Sequence, residues 1–157
     1  MNNLYVISAT GKDQSGLLHR VAGVLSDLGI NIVDIDARSI RGYFTMFLVV
    51  DLSIAACSAQ EMLSRLAPLG LYFDLGLHVK PYDEGRRIPN KQMMLMTLMG
   101  NDRPGIVAEL SGLVARHRVN IEAIKMIARG DYIAMEISLD TSAIDDIKAF
   151  RKIIYAF

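Results

Sequence analysis

The sequence predicts an α+β fold in which the order β-α-β-β-α-β occurs twice. Three observations carry this. First, Gly11-Lys-Asp13-Gln-Ser-Gly16 recurs as Gly100-Asn-Asp102-Arg-Pro-Gly105, an offset of 89 residues. The same offset pairs Gly23 with Gly112, Asn31-Ile32 with Asn120-Ile121, Tyr43 with Tyr132, Met46 with Met135 and Asp51 with Asp140, without a gap from Tyr5 to Asp51. A constant register over that span marks two copies of one unit. Second, each copy alternates short apolar runs with apolar residues at helical spacing. Third, residues 81–91, between the copies, hold prolines, a glycine and mixed charges, with no apolar period.

The elements follow in order. Leu4 to Thr10 and Met93 to Met99 are apolar enough to be strands covered on both faces. After each Gly-x-Asp-x-x-Gly loop comes a helical stripe: Leu17, Leu18, Val21, Val24, Leu25 and Leu28 in copy one, Ile106, Val107, Leu110, Leu113 and Val114 in copy two. Gly29 ends the first of these helices. Ile32 to Ser39 and Ile121 to Ala128 read as second strands. Arg41-Gly42 and Gly130-Asp131 supply turns into third strands, Tyr43 to Val50 and Tyr132 to Leu139. A second helix is expected from about Cys57 to Leu69, and in copy two from about Ser142 onward. Copy one adds a fourth strand, Leu71 to Val79. The result is the ferredoxin-like arrangement, an antiparallel sheet with both helices on one face. The expected domains are 1–80 and 92–157, with 81–91 as linker. Copy two runs out at Phe157 without a fourth strand, which leads to the expectation that the chain is part of a longer protein.

Composition narrows the function classes. Of 157 residues, 52% are hydrophobic, so a sizeable core is available. Seventeen basic residues balance seventeen acidic ones, which leaves no field to attract a polyanion; nucleic acid and membrane surfaces are not expected partners. Cys57 is the only cysteine, so no intrachain disulfide or Cys-x-x-Cys site can form. No apolar stretch is long enough to span a bilayer, and the N-terminus does not read as a signal peptide. A cytoplasmic location is expected.

The loop between strand one and helix one is the candidate site. Gly11 and Gly100 are expected to let the chain turn out of the strand. Asp13 and Asp102 are expected to cap the helix, and Pro104 to occupy its first turn. Gly16 and Gly105 leave room for a ligand to approach. The exposed amides and the helix dipole favour a carboxylate. Asn31 and Asn120 are expected to sit near the loop and bond a ligand. The alternative is a plain strand-to-helix connection with a good cap. His19, His78 and His117 share no metal-ligand spacing and read as surface residues. Asp34-Ile-Asp36 lies in a strand pattern with Arg38 two places on, and reads as a solvent-facing edge. The methionines clustered from Met93 to Met99 read as core filler. No catalytic set, metal site or cofactor site is expected.

Strand, Gly-x-Asp-x-Pro-Gly-Ile-Val loop, helix and Val-Asn-Ile resemble the ACT domain. Gly100 to Val107 with Val119-Asn120-Ile121 carry the resemblance; Gly11 to Leu18 with Ile30-Asn31-Ile32 repeat it, with Ser15 where proline is usual. Copy two from Met94 to Asp140, through Asn120 to Gly130 and Ala134-Met135-Glu136, also resembles the N-terminal regulatory part of bacterial and archaeal phosphoserine phosphatases. These resemblances imply a non-catalytic homodimeric module that binds L-serine or another small amino acid between ACT units. The implied ligand residues are Asp13, Ser15, Gly16, Asn31, Asp102, Pro104, Gly105 and Asn120. A haloacid-dehalogenase-type catalytic domain is implied beyond the chain. The alternatives are a structural dimerisation module and a tandem-ACT regulator of the glycine cleavage repressor type.

Overall fold

The computed structural model describes residues 3–83 and 90–157. The chain divides into two compact units, Met1–Gly85 and Arg86–Phe157. Most of the expected linker, residues 84–89, lies outside the described residues, while Pro81 belongs to a strand rather than to the linker.

Unit one runs β1 (Leu4–Lys12), α1 (Leu17–Asp27), β2 (Asn31–Ile40), β3 (Tyr43–Asp51), α2 (Ala59–Phe73) and β4 (Gly76–Pro81). Its sheet has the order β2-β3-β1-β4, with every hydrogen-bonded pair antiparallel. Unit two runs β5 (Met93–Asn101), α3 (Ile106–Arg116), β6 (Asn120–Arg129), β7 (Tyr132–Asp140) and α4 (Ile147–Tyr155). Its sheet has three strands, β5-β7-β6. The expected fold class is therefore the observed one, including the absent last strand of the second copy.

The duplication extends to fine geometry. Leu4 faces Asp51 and Met93 faces Asp140, the same register at the same offset. Each second strand carries a bulge at one position, Val33 in β2 and Glu122 in β6. Both first helices close with the Schellman pattern: Gly29 and Ile30 amides bond Ser26 and Leu25 carbonyls, and Arg118 and Val119 amides bond Ala115 and Val114 carbonyls. Glycine supplies the left-handed residue in unit one, with φ 68°; unit two uses Arg118, at φ 58°. A side chain there costs about 1 kcal/mol against the preceding turn. Arg118→Gly is thus expected to raise the melting temperature by a few degrees, and a lower value would contradict this reading.

Two boundaries differ from expectation. α2 continues to Phe73, four residues past Leu69, so Leu71 to Phe73 are helical and β4 starts only at Gly76. The apolar run Leu69 to Leu77 suits either element. Burial decides, because Phe73 completes the core face of α2 while Asp74, at φ 52°, ends the helix. α4 begins at Ile147, because Asp146 caps it by accepting the Lys148 and Ala149 amides.

The core of unit one joins Ile7 and Ala9 of β1, Leu48 and Val50 of β3, Leu17, Val21 and Leu25 of α1, and Met62 and Leu66 of α2. Unit two repeats it with Leu110, Val114, Met135, Ile137, Leu139 and Phe150. Burial at this level holds each helix against one sheet face at roughly 25 cal/mol per Å² of apolar surface removed from water.

Candidate ligand site

The strand-to-helix loops are held from below. The Asp13 amide bonds the Gly42 carbonyl at 2.9 Å, and the Asp102 amide bonds the Asp131 carbonyl at 2.7 Å. Each loop is thereby pinned to the tip of its own β-hairpin. Gly16 (φ 82°) and Gly105 (φ 92°) take the N-cap positions in the left-handed conformation, and neither cap has a side-chain hydrogen bond. Asp13 and Asp102 do not cap, contrary to expectation. They sit three residues before the cap, and the left-handed glycine turns the backbone between them and the helix. Pro104 lies in the turn before α3, not in its first turn.

Without a side-chain cap, the amides stay open. Among the described residues, the amides of Ser15, Gly16, Leu18 and His19 donate to no acceptor. The same holds for Gly105, Val107 and Ala108 in unit two. Residues 12–16 are exposed, so these donors face solvent at the positive end of the helix dipole.

The two loops differ in what lies beside the donors. In unit two, Arg103 holds Glu109 through paired bonds of 2.6 and 2.5 Å. This places a carboxylate in the first turn of α3, beside Gly105. The bond from Arg103 lowers the Glu109 pKa and raises that of Arg103. In unit one the equivalent of Glu109 is Arg20, one helical turn above Gly16 on the same face. The equivalent of Arg103 is Gln14, which donates instead to the Phe73 carbonyl at 3.2 Å and ties the loop to the end of α2. A groove of about 410 Å³ lies there, lined by Arg20, Pro68, Leu69, Tyr72 and Phe73. Its size suits a small ligand. Loop one therefore combines open amides with a cation and a groove, whereas loop two already carries its own anion. The sequence reading missed Arg20, although the exchange of arginine for glutamate at the repeat offset was visible.

Asn31 and Asn120 are not near these loops. The α1 crossover returns the chain to the end of the sheet where β1 began, so Asn31 faces Asp51 beside Leu4. Gly16 follows the other end of β1. Eight strand steps separate the two ends, about 27 Å. The same holds for Asn120, which faces Asp140. One small ligand within one unit cannot touch both. Asn120 is engaged locally: it donates to Glu122 at 2.8 Å, and Glu122 also accepts from Lys91 at 2.8 Å. These bonds, that from Lys91 first, lower the Glu122 pKa.

Asp140 accepts from the Ser142 hydroxyl and from the Ser142 amide, the latter at 3.0 Å, and these bonds, that of the hydroxyl first, lower its pKa. A depressed folded value contributes stability that is complete above the unfolded value of about 3.9 and fades as pH falls through the folded value. Asp140→Asn keeps an acceptor but cannot titrate. Thermal melts from pH 6 to pH 3 are expected to show a flatter acid decline for the variant; an identical decline would contradict this.

The remaining candidates resolve simply. Arg38 pairs with Asp36 on the exposed β2 edge, as expected for a solvent-facing strand. Cys57 is half-buried, and burial, with Glu61 second, raises its pKa, which disfavours the thiolate. His19 and His78 are exposed. His117 is half-buried and packs edge-on against Phe150 at 5.6 Å. No group of acidic, histidine or cysteine residues suited to a metal occurs among the described residues.

Comparison with known proteins shows the family. One ACT-domain family model matches residues 5–56 and a second ACT-domain model matches residues 92–152. A UPF0237 protein of Clostridium acetobutylicum is 35% identical over 80 residues, which is 51% of this chain and 88% of that protein. This chain belongs to the UPF0237 family and carries two ACT domains. The fold of the tandem ACT protein is also that of two solved structures. An unknown protein from Galdieria sulphuraria superposes with a TM-score of 0.76 at 18% identity, covering 99% of this chain and 89% of that one. A putative glycine cleavage system transcriptional repressor superposes with a TM-score of 0.72 at 16% identity, covering 99% and 90%. At those identities the likeness is one of fold. ACT domains point to a small-ligand regulatory role for the chain. No helix among the described residues is long and apolar enough to cross a membrane.

Proposed function

We propose that this tandem ACT protein is a non-catalytic, cytoplasmic amino-acid sensor whose principal site is the first loop. One observation carries the reading: open amides at Ser15, Gly16, Leu18 and His19 lie at the N-terminus of a helix whose first turn carries Arg20, a residue that also lines the adjacent groove. Amides and guanidinium would receive the carboxylate of a small amino acid, and the groove beside Tyr72 and Phe73 would take its side chain. Asp13, next to the loop amides, would accept from the ammonium group. Ser15 would add a hydroxyl. Loop two, with Asp102, Pro104 and Gly105, would be the weaker site, because Glu109 competes for its amides. Asn31 and Asn120 would serve a ligand only from the far end of a sheet.

L-serine is the first ligand to test, on the sequence resemblance to phosphoserine phosphatase regulatory regions; the relatives described above include no such enzyme. Isothermal titration with L-serine, glycine and a panel of larger amino acids is expected to give saturable heat for at least one. Arg20→Gln is expected to weaken that binding about 10- to 100-fold, the loss of one charge-assisted contact. No heat at millimolar concentration across the panel would overturn the proposal. A regulator of the glycine cleavage repressor type would use the same site. The neutral charge disfavours direct DNA contact in that reading.

A further inference from the structure

The groove beside the first loop is built from features that the fold does not require. Tyr72 is 80% exposed at the end of α2, although an aromatic ring gains much from burial. Its ring meets that of Phe73 at 82°, with centroids 4.8 Å apart. Phe73 is buried, so one ring is anchored in the core while the other stands in solvent, and both line the groove. Pro68 is exposed inside α2, where a proline removes a backbone hydrogen bond. Leu69, half-buried against the core, completes the apolar wall.

The polar inventory of this lining is short. Pro68, Leu69 and Phe73 offer no side-chain donor or acceptor, and Tyr72 offers one hydroxyl. Arg20 is the one charge of the lining, and it enters no ion pair or hydrogen bond among the described residues. The cation and the open loop amides therefore lie at one margin of an apolar surface. The bond from Gln14 Nε2 to the Phe73 carbonyl holds that margin and that surface together.

We infer that the first-loop site selects amino acids with a large apolar side chain, and that Tyr72 and Phe73 determine this specificity. The inference rests on the sensor reading proposed above and narrows it to a ligand class. The amides and Arg20 would meet a carboxylate, which every amino acid carries; only the groove can tell one side chain from another. The hydroxymethyl group of serine would leave Pro68 and Tyr72 in water and its own hydroxyl without a built partner. A phenylalanine or leucine side chain would remove apolar surface from water on both sides of the contact. Two rings set nearly perpendicular also offer a third ring both an edge and a face. A fully buried methylene strengthens binding about fourfold, and an open groove realises part of that, so phenylalanine and leucine are expected to bind at least about 10-fold more tightly than serine or glycine. L-serine, which the sequence resemblance implies, is thereby expected to be a weak ligand.

The test is calorimetric titration of the full chain with L-phenylalanine, L-leucine, L-serine and glycine. Phenylalanine and leucine are expected to bind most tightly. Because Tyr72 is exposed, Tyr72→Ala is expected to keep the native melting temperature; it should weaken phenylalanine binding about 10-fold and leave any serine binding unchanged. Tyr72→Phe keeps the ring and is expected to bind phenylalanine as the wild type does. Arg20→Gln, by contrast, is expected to weaken every amino acid alike, since it acts on the shared carboxylate. Serine or glycine binding as tightly as phenylalanine and leucine would overturn this inference and leave the sensor reading standing. So would a Tyr72→Ala variant that binds phenylalanine as the wild type does, or that loses serine and phenylalanine to the same degree. Heat from no amino acid would overturn both.

Discussion

Leu48→Ala is expected to lower the unfolding free energy by about 2–5 kcal/mol, and Ile137→Ala to do the same at the lower end of that range. The two residues are equivalent in the repeat, lie on central strands β3 and β7, and are 0% exposed. Truncation removes transfer energy and leaves a cavity whose cost depends on how far the neighbours relax. Leu48 is enclosed by four strands and two helices. Ile137 sits in a three-stranded sheet whose partners Met96 and Leu98 are half-buried methionine and leucine with room to move. Urea unfolding followed by circular dichroism measures both. A larger loss at Ile137 than at Leu48 would contradict the picture of a looser second core.

Gly11→Ala carries the next largest effect, about 1–3 kcal/mol of destabilisation from overpacking. The added methyl would meet Leu75 Cδ2 at 2.5 Å and the Asp74 carbonyl at 2.7 Å, and the second of these is backbone that cannot swing aside. Gly100→Ala is its control. That site is open, and removing a glycine from a strand interior makes the change neutral or stabilising by about 0.5 kcal/mol. Equal losses at the two sites, read from urea midpoints, would contradict the assignment of Gly11 to close packing.

Gly11 also shows where sequence reasoning reached and where it stopped. Its identity marked the repeat, but its reason was misread. Neither Gly11 nor Gly100 has a positive φ; both lie within their strands. The turn belongs to Gly16 and Gly105. Nothing local separates a glycine needed for φ from one needed for clearance, because the clashing atoms come from residues 74 and 75. The fold was legible because an 89-residue offset and two periodicities are properties of the chain itself. The register and the bulge of the second unit repeat those of the first because the sequence is duplicated.

The candidate site was legible in part. The loop, its glycines and its open amides came from residue type. Asn31 and Asn120 were placed beside it wrongly, because adjacency was inferred from a motif rather than from the crossover, which carries the chain to the opposite end of the sheet. Arg20 was overlooked because an arginine on a helix reads as solvated surface. Its meaning appears only beside the Gly16 amides, and against Glu109 in the same place of the second unit.

The most direct measurement is a ¹⁵N–¹H chemical-shift titration of the full chain with the amino acid that gives heat in calorimetry, L-serine first. The account predicts saturable shifts of the Ser15, Gly16, Leu18 and His19 amides, larger than any in residues 105–108, and their loss in Arg20→Gln. Saturable binding that leaves the first-loop amides unmoved, or moves residues 105–108 more, would contradict it.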